Sequence, residues 1–298
     1  MIDIVGKRNW FFLISICLLV PGIISMLAVG FNLGIDFSSG TVMTLRFNPT
    51  VEQSALRQQM SQLGYGDATI QKTSDGDFLV RTKDINSDQK IALIDGLKKG
   101  LSVDVTIRDF ATVSPLVANE VARNAAIAVL VASIFMILYI AFAFRHMPSP
   151  FKWGFSAVIA LLHDVLIVMG VFSILGWLVG YQVDSMFIVA MLTIVGFAIN
   201  NTCVVYDRIR ENVRKGISKD FATTVNSSIL ETIARCINTS LTVILTCLAL
   251  YLFGGVTIQQ FIMALMVGVL VGIYDSIFVA GPLLVLWERG LKTESRTA

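Results

Sequence analysis

Long runs without a charged side chain divide this chain. No Asp, Glu, Lys or Arg occurs between Arg8 and Asp36, Arg123 and Arg145, Asp164 and Asp184, Asp184 and Asp207, or Arg235 and Asp275. Runs near 20 residues suit a hydrocarbon core about 30 Å thick, crossed at about 1.5 Å per residue. They predict six spans, at residues 10–31, 125–144, 154–179, 185–206, 237–253 and 261–286. Between the first two the periodicity is that of a water-facing domain. Residues 41–47 (TVMTLRF) read as a strand. Residues 51–63 carry helical apolar spacing and end at Gly64, which suits the position just past a helix. Residues 68–73 and 78–82 are short strands across the turn Ser74-Asp75-Gly76-Asp77. Ser87 caps a helix that runs to Lys99 and stops at Gly100, and residues 103–110 (VDVTIRDF) alternate as a last strand. The order β-α-β-β-α-β predicts a ferredoxin-like α+β domain, an architecture that implies no activity by itself.

Composition agrees. Mean hydropathy is +0.74 and 15% of residues are charged, against about 25% in soluble domains. Lys7 and Arg8 precede the first run as they would in a signal peptide. That run is long enough to span, however, and no A-x-A-like site follows, so it reads as an uncleaved span. Basic residues then orient the chain. Lys7, Arg8, Arg145, Lys152, Arg208, Arg210, Arg214, Lys215, Lys219, Arg235, Arg289, Lys292 and Arg296 fall on one side, and the short opposite loops at 180–184 and 254–260 hold none. The positive-inside rule places both termini in the cytoplasm. The predicted layout is a cytoplasmic N-terminus (1–9), a first span (10–31), an extracytoplasmic α+β domain (32–122), and a five-helix membrane domain with a cytoplasmic tail (123–298). Cys17, Cys203, Cys236 and Cys247 lie in or beside apolar segments without a CxxC pair, so they read as packing residues.

Ionisable and amide groups inside spans are expensive and point to ion pathways or to helix pairing. His163-Asp164 falls near the middle of the third span and Asp275 well inside the sixth. Asn200-Asn201 falls near the cytoplasmic end of the fourth, and Arg235 opens the fifth. His163-Asp164 is either a locked helix–helix pair or part of a relay. The two asparagines are either interhelical glue or part of the same path. An ionised Asp275 at that depth requires a partner or a proton. Residues 207–215 (DRIRENVRK) read as a solvated helix end, and Gly170, Gly176, Gly196, Gly268 and Gly272 as close-packing positions. No nucleophile–base pair, metal-ligand cluster, phosphate loop or nucleic-acid motif stands out, so an enzyme is disfavoured and no cofactor is expected.

Several segments resemble the SecF family of protein-export subunits, within the RND superfamily. Gly34-Ile35-Asp36-Phe37-Ser38-Ser39-Gly40 resembles its G-x-D-F-x-G-G segment after the first span. Ala160-Leu161-Leu162-His163-Asp164 is similar to its third-span motif, and residues 195–202 to its fourth. Asp207-Arg208-Ile209-Arg210-Glu211-Asn212, Arg235 with Thr239-Ser240, and the outer turn at 251–255 follow in register. The resemblance implies a six-span RND-type half with an outside domain in a bacterial inner membrane. It also implies partnership with SecD, the SecYEG channel and YajC, and use of the proton or sodium gradient to draw unfolded polypeptides outward. Set beside it are a non-coupling scaffold subunit of the same complex and an RND-type transporter of another substrate.

Three positions depart from the family pattern. The family carries an acid, regarded as its ion carrier, where this chain has Asn201; an amide has no proton to exchange there. The family's arginine is kept at Arg235. A small serine is replaced by Asp275, and a glycine by Ser39. One acid lost and one gained suggests that the carboxylate has moved from the fourth span to the sixth, to Asp275 beside His163 and Asp164. The rival expectation is that this subunit relays nothing and SecD supplies the coupling acid.

Overall fold

The structure, a computed structural model, describes residues 3–73, 75–145 and 150–287. Ser74 of the predicted turn, His146, and the basic tail positions Arg289, Lys292 and Arg296 lie outside the described residues. The chain forms two compact units, one from Leu33 to Ala126 and one from the segments on either side of it.

The elements run in this order: α1 (Arg8–Ala28), α2 (Ile35–Ser38), β1 (Gly40–Asn48), α3 (Gln53–Gln62), β2 (Thr69–Lys72), β3 (Phe78–Thr82), α4 (Ser87–Leu101), β4 (Asp104–Val113), α5 (Pro115–Ala143), α6 (Pro150–Val179), α7 (Ser185–Lys215), α8 (Phe221–Phe253) and α9 (Val256–Asp275), which passes into a π-helical turn at Ser276–Ala280. Among the described residues, six helices are long and apolar enough to cross a membrane.

In the smaller unit the four strands form one antiparallel sheet in the order β2-β3-β1-β4, the ferredoxin-like arrangement. Alternate residues of β1, namely Met43, Leu45 and Phe47, are buried in a core with Leu56 and Met60 of α3 and Leu93 and Leu97 of α4. Asn86, rather than Ser87, caps α4. Its side chain accepts from Gln89 N, and the Gln89 side chain accepts from Asn86 N, both at 2.9 Å. The helix continues through Gly100 and ends at Ser102, which takes the left-handed conformation. Gly64, at φ +86°, supplies the expected turn after α3.

In the membrane unit, α9 packs against α6, α7 and α8, and α1 against α6. Asp184 and Asp220 cap α7 and α8 by accepting from Phe187 N and Thr223 N. Both helices extend well beyond the predicted spans: α7 runs on to Lys215, and α8 begins at Phe221 rather than near Ile237. Hydropathy misses these extensions because they are amphipathic. Ile209, Val225 and Ile229 are buried there, whereas Arg210, Lys215 and Glu231 reach outward. Arg235 therefore lies within a helix instead of opening one. Four of the five glycines sit close against a neighbour, Gly176 against the Tyr181 carbonyl and Asn32. A side chain at Gly170 would meet the Gly22 Cα at 2.6 Å, one at Gly268 would meet Ile194 at 2.4 Å, and one at Gly272 would face Ala198 and Asp164. A side chain at Gly196 would meet open space.

Candidate functional site

Adjacent positions on α6 carry His163 and Asp164, and the last residue of α9 is Asp275. All three are buried, with 7%, 0% and 1% of their surface exposed. His163 Nδ1 lies 3.3 Å from Asp275 Oδ1 and 3.6 Å from Asp164 Oδ1. One donor atom from each of the three falls within 4.8 Å of the others. These are ion-pair distances without hydrogen-bond alignment, so His163 Nδ1, both Asp164 oxygens and Asp275 Oδ1 have no aligned partner.

The surroundings are built for close approach. Gly272, one turn before Asp275, lets α9 sit against Ala198 of α7 and Asp164 of α6. The Tyr274 ring stacks on His163, with centroids 6.3 Å apart. Its hydroxyl donates to the Phe11 carbonyl at 2.6 Å and lies 3.3 Å from Ser15 Oγ, joining the cluster to α1. The π-helical turn starts immediately after Asp275, a type of irregularity frequent at functional sites. Among the described residues no Lys or Arg pairs with either carboxylate, so His163 is their cationic partner.

Chemically the cluster can hold or release positive charge. Two protons shared among two carboxylates and an imidazole make it neutral. Removing one leaves a net negative charge in a low-dielectric setting, where an uncompensated charge is costly. The three groups titrate as one unit. Their donor set also suits a small cation, with two oxygens and one nitrogen in reach.

A second polar group lies between α7 and α8. Asn201 is buried, and its amide donates to Ser240 Oγ at 3.2 Å. Asn212 donates to Ser228 at 2.9 Å and to Glu231 at 3.0 Å. Arg208 pairs with both Glu211 and Glu231, Arg210 with Asp207, and Lys215 with Glu211. Asp207, Arg208, Glu211, Glu231 and Arg235 line a polar cavity of about 280 Å³. The segment predicted as a solvated helix end keeps its charges partly exposed and pairs them, within α7 and, through Arg208 and Glu231, across to α8. Arg235 makes no ion pair among the described residues and is not part of the His163 cluster. Glu231 was not anticipated, and Ser240 was named only as part of a motif and not as the partner of Asn201, because each looks like an ordinary surface or span residue until α7 lies beside α8.

The Gly34–Gly40 segment belongs to the smaller unit. Gly34 precedes the single turn α2, which holds Asp36 and Phe37. Ser39 has φ +60° and ψ 169°, and Gly40 opens β1 at φ +125°, where a side chain would meet the Thr82 carbonyl oxygen at 2.6 Å. Ser39 stands in backbone space that glycine occupies far more readily, which accounts for a glycine preference there.

Comparison with known proteins bears on both units. The C-terminal domain of the protein export membrane proteins SecD/SecF matches residues 94–290, and the SecD/SecF GG motif matches residues 24–51. Protein translocase subunit SecF of Thermobaculum terrenum is 42% identical, covering 97% of this chain and 94% of its own. The SecF of Anaerolinea thermophila is 40% identical, covering 97% and 95%. The crystal structure of SecDF, a translocon-associated membrane protein from Thermus thermophilus, matches with a TM-score of 0.85 at 35% identity over 97% of this chain. This chain spans 39% of that SecDF chain.

Proposed function

Because this chain belongs to the SecF family of protein translocase subunits, we propose that it acts with SecD beside the SecYEG channel, with YajC as a further partner, and couples the proton gradient to the outward movement of unfolded polypeptides. The membrane unit sits in the bacterial inner membrane with both termini in the cytoplasm, and the ferredoxin-like unit (within residues 32–122) faces outside. The observation that carries the coupling is the buried cluster of His163, Asp164 and Asp275, a group in the membrane unit that can change its charge by taking up a proton. Asp275 does the work that the amide at position 201 cannot. His163 offsets whichever carboxylate is ionised, and Asp164 shares the proton. The test is Asp275→Asn, assayed for preprotein export and for proton flux in vesicles that hold the full translocase. Both are expected to fall at least ten-fold; full activity would falsify the assignment.

A second reading rests on Asn201, whose amide is already engaged by Ser240. In it this subunit is a non-coupling scaffold and SecD carries the only coupling acid. The same experiment separates the two, since Asp275→Asn is then silent for flux while Asn201→Asp is tolerated.

A further inference from the structure

The helix α5 stands apart from its neighbours. From Ile127 to the end of this helix, Ile140 is buried, while Leu130, Phe135, Leu138 and Phe142 are exposed. Between it and the pair α6–α7 runs an apolar cleft of about 460 Å³, lined by Val129, Met136 and Ile140 of α5, Leu161 and Met169 of α6, and Met191 of α7. The one hydroxyl along this side, Ser133, is turned to its own helix, donating to the Val129 carbonyl at 2.7 Å. The cleft offers nothing for a polar ligand to hold. From Val129 to Ile140 it runs about 16 Å, half of a hydrocarbon core about 30 Å thick, which is the reach of a chain from one leaflet.

Charge marks one end. Where α5 gives way to α6, Arg145 is exposed and lies over the Phe142 ring at 3.9 Å, and Lys152 is half-buried in the first turn of α6. Neither forms an ion pair among the described residues. Beside them the rings of Phe144 and Trp153 stack 5.8 Å apart in the core where the two helices meet. Two cations at the mouth of an uncharged slot complement a ligand with an anionic head and a long apolar tail. An apolar void in a bilayer forfeits dispersion contacts on its lining until something fills it, and basic side chains at the headgroup level attract anionic lipid.

We infer that this cleft is a binding site for an anionic phospholipid, with one acyl chain between α5 and α6–α7 and the phosphate held by Arg145 and Lys152. The site is separate from the His163 cluster and does not depend on it.

Native mass spectrometry tests this on the full chain released from bilayers of equal phosphatidylglycerol and phosphatidylcholine. The wild type is expected to retain phosphatidylglycerol preferentially. Arg145→Gln and Lys152→Gln should each cut that preference roughly five-fold, at about 1 kcal/mol per basic residue, while leaving total lipid bound. Leu161→Trp, which fills the slot, should reduce retention of both lipids; Met136→Trp, from the facing helix, repeats the test should the first variant misfold. Equal retention of the two lipids by the wild type would overturn the proposal, as would undiminished retention in a folded tryptophan variant. Displacement by glycerol phosphate alone would reduce the site to an anion site. A photo-crosslinker at Met136 that captured a polypeptide, whether a second copy or another subunit, instead of lipid would give the cleft a different occupant and overturn it as well.

Discussion

His163 carries more of the local energetics than either acid. It is the positive partner of Asp164 and Asp275 at 3.6 and 3.3 Å, in a site with almost no exposure. Removing one member of a buried ionic group costs about 3–5 kcal/mol, because the remaining charge loses its compensation. His163→Ala should therefore destabilise the chain by about that amount, whereas Asp275→Asn, which removes a charge and keeps the shape, should leave stability unchanged or raise it. Thermal unfolding of the purified chain in detergent separates the two; equal losses would show that packing, not charge, holds the site. Ser39 offers a converse case. Its backbone, at φ +60° and ψ 169°, is ground where a side chain costs about 1–3 kcal/mol. Ser39→Gly should raise stability by about 1 kcal/mol, read as a higher melting temperature of the full chain.

Helix crossings set the geometry around that cluster. α1 and α6 meet at Gly22 and Gly170, where a side chain on either would fall within 3 Å of the other's α-carbon. The same seam holds the Ser25–Ser173 hydroxyl pair at 2.8 Å and the donation from Ser173 to the Gly30 carbonyl at 2.7 Å. Gly170→Leu should force the helices apart at a cost of about 1–3 kcal/mol. It should also loosen the Tyr274 contact with α1, so that amide exchange rises around Phe11 and Ser15; unchanged exchange there would count against a shared seam. Much of this was legible in advance. Charge-free runs located the six spans, and strand alternation located the sheet. Gly170, Gly268 and Gly272 were named as close-packing positions, but Gly22, which meets Gly170, was not, since nothing in the sequence links two glycines so far apart. Asn86 was passed over for Ser87 because a cap is decided by which side chain reaches the first-turn amides. The one-turn α2 has too few residues for a periodic signal, and a π-helical turn leaves none. His163, Asp164 and Asp275 were each visible as costly residues in apolar runs, while their convergence depended on α9 closing against α6 through Gly272. The ion-paired extensions of α7 and α8 were hidden because polar amphipathic helix and solvated loop look alike to hydropathy.

Beyond its own core, the membrane unit leaves polar groups exposed on two helices. On α7, Thr193, Gly196 and Asn200 are exposed at helical spacing, and on α8 so are Arg235, Asn238, Thr239, Thr242 and Thr246. The hydroxyls of Thr193, Thr242 and Thr246 donate to carbonyls of their own helices. Asn200, Arg235 and Asn238, by contrast, make no hydrogen bond or ion pair among the described residues. An amide facing lipid is disfavoured, whereas the same group, beside a glycine with open space over it, suits the close approach of another helix. In the proposed assembly this face receives a membrane helix of the partner subunit, while the α5 cleft faces lipid. A photo-crosslinker at Asn238 in intact membranes should capture a membrane polypeptide of the translocase, and one at Met136 should capture lipid. Replacing Asn200 and Asn238 with Leu should weaken co-purification of that polypeptide by roughly five-fold for each hydrogen bond lost, at about 1 kcal/mol apiece. The decisive result is the pair of crosslinks taken together: lipid adducts from both positions would mean that the exposed amides are solvated in some other way and that the partner packs elsewhere.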